Sequence, residues 1–138
     1  MSVDISVLEA VFEVNAEAVG KSPVSARMVV PVTHAPPNDH FNERAGLSGR
    51  RIVLADYTNR GATTEEGERR HHYVRPQKTV WFTWTAPRNG RADLWLRESD
   101  FDTVLAVYRG SSLNSLRRVA RNDDYGQNLT SRVRFNVR

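Results

Sequence analysis

The amino-acid sequence predicts an all-β, antiparallel sandwich-like fold, and three features carry that prediction. Thr103-Val104-Leu105-Ala106-Val107-Tyr108 is a β-rich run with little polar interruption, the pattern of a strand covered on both faces. Val80-Trp81-Phe82-Thr83-Trp84-Thr85 is a second such run, closed by the turn-forming Ala86-Pro87-Arg88-Asn89-Gly90. Two alternating segments, Ala92 to Arg97 and Val133 to Val137, place apolar residues on one face and polar residues or Trp95 on the other, as half-buried strands do.

Composition sets the outer limits. A chain of 138 residues, 39% hydrophobic and 9% aromatic, has enough apolar material for one compact core and an added arm. Cysteine is absent, which excludes disulfides and thiolate chemistry. The formal charge is +4, and eighteen of the twenty basic residues are arginine. The doublets Arg50-Arg51, Arg69-Arg70 and Arg117-Arg118 are scattered along the chain and form no continuous basic stripe, so no nucleic-acid partner is expected. Asp4, Glu9, Glu13 and Glu17 give the start of the chain an acidic character foreign to a secretory leader. No apolar run approaches the length of a membrane span, so membrane insertion is not expected.

Taken in order, Ile5 to Val14 reads as a strand with Leu8, Ala10, Phe12 and Val14 on one face. Val24 to Val32 is a second strand candidate, in which Pro31 requires an edge or terminal position because it lacks a ladder donor. Together they predict a β-rich assembly arm, or part of a preceding domain, over 1–34, with Phe12 a candidate partner-binding residue. Pro36-Pro37 marks the boundary to a main domain over 35–138. Asn38 or Asp39 is expected to cap a short helix that contains Phe41 and Ala45 and ends at Ser48-Gly49.

Arg50 to Tyr57 is expected to be the first strand of the main domain, followed by a polar, turn-rich crossing over 58–68. His34 and His40 read as surface or packing residues. His71 and His72 are adjacent and point to opposite faces of an extended chain, so packing is the expected role rather than a shared metal or acid-base site. Val80, Phe82 and Trp84 share a face, and with Leu105, Val107 and Phe135 they form the expected core. Trp81 is read as a half-buried packing residue, with an exposed stacking platform as the alternative. Tyr73, Trp95 and Tyr125 are the remaining candidates for contact with a partner.

Carboxylates stand at both ends of the unit built around Thr103 to Tyr108. Asp100 and Asp102 precede the strand, Arg109-Gly110-Ser111-Ser112 turns the chain, a short apolar segment runs to Ala120, and Asn122-Asp123-Asp124 closes it. Asp100, Asp102, Asp123 and Asp124 are candidate calcium ligands through hard carboxylate oxygens, or turn organisers that accept backbone N–H bonds. The spacing is not that of an EF-hand. The loop over 125–130 leads into a terminal strand expected to lie at a sheet edge, completed by a partner or by further sheet.

Several motifs in fixed order now bear on family. Asn38-Asp39-His40-Phe41, Leu47-Ser48-Gly49, Gly61-Ala62-Thr63-Thr64-Glu65, Gly67-Glu68, His71, Val80-Trp81-Phe82-Thr83-Trp84-Thr85-Ala86-Pro87, Asp100-Phe101-Asp102-Thr103-Val104-Leu105-Ala106-Val107-Tyr108 and Asn122-Asp123-Asp124 together resemble the bacterial pre-peptidase C-terminal domain family. The resemblance runs from near Pro36 to the end of the chain. It implies a jelly-roll-like β-sandwich that serves secreted enzymes or large surface proteins as a non-catalytic accessory domain. It also implies a structural role for Asp102 and for Asn122-Asp123-Asp124, with calcium bound in some relatives. The chain departs from the family pattern at Arg69, where proline is usual, and stops at Arg138 before the usual concluding hairpin.

Function follows by exclusion and by that resemblance. No Gly-x-Ser-x-Gly elbow, His-Glu-x-x-His zinc sequence or phosphate-cradling glycine loop is present, so a non-enzymatic role is expected. The expectation is a structural and protein-binding module of a larger virion or surface assembly, a phage minor tail protein above all, located in the virion tail. Its partners would be other structural subunits or further copies of itself. The alternative is a glycan- or polymer-binding accessory domain of an extracellular or cell-surface protein. No cofactor is required in either reading; calcium is the one ligand the carboxylates would suit.

Overall fold

The computed structural model describes the backbone of residues 2–9 and residues 34–55, 57–73, 75–127 and 129–138 in full. Phe12, the later part of the first predicted strand and the strand expected over Val24 to Val32 lie outside the described residues. Among those described the chain is all-β, with seven strands, two single 3-10 turns and no α-helix. The strands are β1 (Ser2–Glu9), β2 (Ala45–Leu47), β3 (Thr79–Thr85), β4 (Gly90–Trp95), β5 (Thr103–Arg109), β6 (Arg117–Asn122) and β7 (Arg132–Val137).

Five strands form one sheet in the order β2-β3-β1-β5-β6, and β4 and β7 form a second. β1 is laced between two strands far ahead of it in sequence: Ile5 is opposite Phe82 on one side and Val107 on the other, both antiparallel. The first strand of the expected N-terminal arm is therefore a central strand of the larger sheet. All described pairings are antiparallel except that of the three-residue β2, which runs parallel to β3.

The two faces of the larger sheet explain the composition of β3 and β5. Val80, Phe82, Leu105 and Val107 turn to one side, where they share a core with Ala92, Val133, Phe135 and Val137 of the smaller sheet. Trp81, Ala106 and Tyr108 turn to the other side and pack with Phe41 and Leu116. With both sides covered, β5 is buried from Thr103 to Tyr108, as an unbroken apolar run requires. Each large apolar side chain so buried contributes roughly 1.5–3 kcal/mol. Of the expected core, Phe82, Leu105, Val107 and Phe135 are buried, while Trp84 is half-buried and donates its indole N–H to the Gly49 carbonyl at 2.9 Å. Trp81 is wholly enclosed, so it offers no stacking platform.

Two local expectations differ from the structure. Phe41–Glu43 is a 3-10 turn without a side-chain cap, and Ala45–Leu47 is a strand. Asn38 and Asp39 are buried and have long-range partners instead. The Asn38 amide donates to the Trp81 carbonyl at 2.9 Å, and the Asp39 carboxylate accepts from the Thr63 N–H and hydroxyl at 2.6 and 2.8 Å. The stretch from Arg50 to Tyr57 is not a strand among its described residues, and Val53 is 79% exposed. A β-rich composition does not make a strand without a neighbour to satisfy its backbone; the Tyr57 ring meets the core edge-on at Phe82.

Candidate functional site

The outer face of the smaller sheet carries an aromatic and charged cluster. Alternation turns Ala92 and Leu94 of β4 and Val133, Phe135 and Val137 of β7 toward the core, and turns Asp93, Trp95, Arg132 and Arg134 outward. The register sets Trp95 opposite Arg132 and Asp93 opposite Arg134. Arg132 takes the diagonal acid: its Nε donates to Asp93 Oδ1 at 2.9 Å and its Nη2 to Oδ2 at 2.7 Å, while Arg134 Nε donates to the same Oδ2 at 3.0 Å. The hydrogen bonds from Arg132 hold the Asp93 carboxyl down at about 2. The same bonds push the Arg132 guanidinium above its usual range.

Arg132 also binds the aromatics. Its guanidinium lies 4.6 Å from the Trp95 ring centre and 5.1 Å from that of Tyr125, and its Nη1 donates to the Tyr125 hydroxyl at 3.2 Å. The Trp95 and Tyr125 rings meet edge to face with centres 5.8 Å apart. Both stay partly open to solvent, Trp95 at 42% and Tyr125 at 38%. The surface is thus amphipathic and held in one geometry by hydrogen bonds.

Beside Tyr125 lies a cluster of three acids. Because β5 and β6 are antiparallel neighbours with Leu105 opposite Asn122, the residue before β5 and the two after β6 meet. One carboxylate oxygen from each of Asp102, Asp123 and Asp124 lies within 4.8 Å of the others. Asp100 is exposed and is not one of the group. Burial, reinforced by the charges of Asp123 and Asp124, raises the Asp102 pKa above its ordinary value.

The loops around the cluster are tightly bonded. Ser131 is buried, and its hydroxyl donates to the Asp123 carbonyl at 2.6 Å while its N–H donates to Thr103 Oγ1 at 2.9 Å. The Arg132 N–H donates to Asn122 Oδ1 at 2.8 Å, and the Asn122 amide donates to the Asp124 carbonyl at 3.0 Å. One observation bears on a cation: Asp102 Oδ1 is shielded from solvent and has no hydrogen-bond partner. An anionic oxygen so placed fits a hard cation, and Asp102, Asp123 and Asp124 are the residues that would hold it.

The histidine pair divides as alternation requires. His71 is fully buried, with Nδ1 2.9 Å from the Tyr108 hydroxyl and Nε2 2.6 Å from Glu68 Oε1. Burial drives the Tyr108 phenol up to about 12. The cavity beside this group is about 10 Å³ and mostly apolar, lined by residues that include Trp81, Leu113 and Leu116. That is room for at most one water and not for a substrate. His72 turns the other way, with Nδ1 3.6 Å from Asp123 Oδ2.

Tyr73 is 71% exposed, and Arg121 lies over its ring at 4.5 Å. Of the candidate partner-binding residues the structure therefore unites Trp95 and Tyr125, places Tyr73 on a separate cluster, and leaves Phe12 outside the described residues. Arg132 and Asp93, which organise the first cluster, are not distinguished in the sequence from other residues of alternating strands. Only the β4–β7 register brings them to Trp95. No family model matches this chain, and neither a curated protein nor a solved structure matches it.

Proposed function

We propose that this chain is a non-catalytic module that binds a protein partner through the Trp95, Tyr125 and Arg132 surface, within a larger surface or virion assembly of which a phage tail is the setting favoured by the sequence. The jelly-roll-like sandwich belongs to the same proposal; the core shared by the two sheets supports it. The observation that carries the reading is the partly exposed Trp95–Tyr125 pair bridged by the Arg132 guanidinium. Tryptophan, tyrosine and arginine are the residues that most often dominate protein interfaces, and a pair already fixed in place loses little side-chain entropy on binding. The second reading, a glycan-binding module, draws on the same rings. It has less support, because the Arg132 guanidinium occupies one face of Trp95 and Tyr125 meets that ring at an angle, where a sugar stacks best on a flat, open face.

Calcium enters the proposal as a structural ligand of Asp102, Asp123 and Asp124, fixing the loop from which Tyr125 projects. The test is affinity capture from the native assembly with mass spectrometry, using the unaltered chain and Trp95→Ala. A defined protein partner kept by the first and lost by the second is the expected result. Binding to a glycan array that Trp95→Ala abolishes, with no protein captured, would overturn the proposal in favour of the second reading.

A further inference from the structure

Arg69, Arg70, Arg118 and Arg121, scattered in sequence, share a surface in the fold. The loop through Arg69, Arg70, His71 and His72 lies along β6, stitched to it by arginine side chains. Arg118 Nη1 donates to the Arg70 and His71 carbonyls at 3.5 and 3.4 Å, and Arg121 Nη1 to the His72 carbonyl at 3.4 Å. Arg69 Nη2 reaches the Asn114 carbonyl at 3.3 Å, just before the strand. Arg118 and Arg121 are three residues apart, a spacing that would set them on opposite faces of a regular strand. The register slips between Val107 and Tyr108: Arg118 is opposite Tyr108, Ala120 is opposite Val107, and Val119 is the extra residue. This bulge turns both arginines to the face shared by Ala106 and Tyr108, away from the smaller sheet.

Arg70 Nη1 donates to the Tyr73 carbonyl at 3.4 Å and Arg121 Nη2 to the Tyr73 hydroxyl at 3.0 Å, and none of the ion pairs among the described residues involves Arg69, Arg70, Arg118 or Arg121. Each keeps its full charge and further N–H donors for a carboxylate. We infer that Arg69, Arg70, Arg118 and Arg121, with Tyr73 at their border, form a docking site for a short acidic segment of a protein partner. The length of that segment is bounded by the neighbouring acids. Arg121 bonds the His72 carbonyl, and His72 lies 3.6 Å from Asp123, so a uniformly charged polymer that continued past Arg121 would meet Asp102, Asp123 and Asp124. A short run of aspartate or glutamate can end before that cluster. The inference rests on the protein-binding reading and uses a different face from Trp95.

The test measures fluorescence anisotropy of labelled hexaglutamate at physiological ionic strength, with hexaglutamine and oligothymidylate as comparison probes. The unaltered chain is expected to bind hexaglutamate in preference to both. Arg69→Gln combined with Arg70→Gln, both exposed loop positions, is expected to weaken binding roughly tenfold, and Arg118→Gln to weaken it independently. Arg117→Gln removes the same charge from the other side of β6 and is expected to change little, as is Trp95→Ala. Absence of hexaglutamate binding, or an equal loss with Arg117→Gln, would overturn the inference; oligothymidylate bound as tightly as the peptide would overturn the choice of a protein ligand. Partner capture that depends on Trp95 but is indifferent to the loop arginines would leave the proposed function standing and sink this inference alone.

Discussion

Arg132 holds Asp93 with two parallel hydrogen bonds across the β4–β7 pair, and the same guanidinium spans the Trp95 and Tyr125 rings. A single side chain therefore extends the ionisation of its neighbour into acid and contacts both rings of the aromatic pair.

The first consequence is a pH dependence. The Asp93 pKa in the folded chain, about 2, lies below its ordinary value of 3.8, so its contribution to stability is present above that ordinary value and is lost as pH falls toward 2. The carboxylate is substantially exposed, which limits the contribution to about 0.5–1 kcal/mol. Urea unfolding of Asp93→Asn is expected to show that deficit at neutral pH and no difference from the unaltered chain near the acid limit. A deficit that persists in acid would refute the assignment.

Asp102 behaves in the opposite sense. Its folded pKa is raised, so its carboxylate burdens the fold as pH rises through that value, and the burden is absent below the ordinary carboxylate range. Without calcium, Asp102→Asn is expected to melt slightly above the unaltered chain. With calcium at about ten times its dissociation constant, the unaltered chain should gain about 1.4 kcal/mol, and the variant should lose that response. An identical calcium response in both would exclude Asp102 as a ligand.

At the aromatic surface, Trp95→Ala is expected to weaken partner binding by about 2 kcal/mol or more, roughly thirtyfold, with little change in the unfolding midpoint. Parallel titration and thermal melting separate the two effects. A large drop in stability with unchanged affinity would make Trp95 a packing residue.

In the interior, Leu105→Ala is expected to cost about 2–5 kcal/mol, because a wholly buried side chain at the meeting of the two sheets leaves a cavity. Gly110→Ala should cost about 1–3 kcal/mol by a different route: its φ of 152° is poorly tolerated by other residues, and an added Cβ would sit 3.2 Å from the Leu116 Cα and the Ser115 carbonyl oxygen. Denaturant unfolding of both variants measures these losses.

The burial of β5 and the alternation of β7 were legible because an unbroken apolar run reports a strand covered on both faces and a two-residue period reports which side chains share one. The burial of Trp81 was not, since it depends on a second covering layer from Phe41 and Leu116. Three of the four candidate acids converge because β5 and β6 are neighbours, a relation the turn at Gly110 suggests; Asp100 lies just beyond reach of that register. The arginine surface could not be read from spacing at all, because one extra residue at Val119 reverses the facing of everything that precedes it on β6. Arg50 to Tyr57 has a strand's composition, yet its described residues pair with no strand, which no local pattern reveals.

The position of β1 has a bearing on how the molecule is made. During synthesis this strand emerges before either of its neighbours exists, and it must wait for Thr79–Thr85 and then Thr103–Arg109 to leave the ribosome before it can be enclosed. Most of the larger sheet is thus assembled from contacts distant in sequence, a topology that slows folding and keeps strand edges exposed while it proceeds. The nascent chain is expected to be most prone to aggregation in the interval between the synthesis of β3 and that of β5.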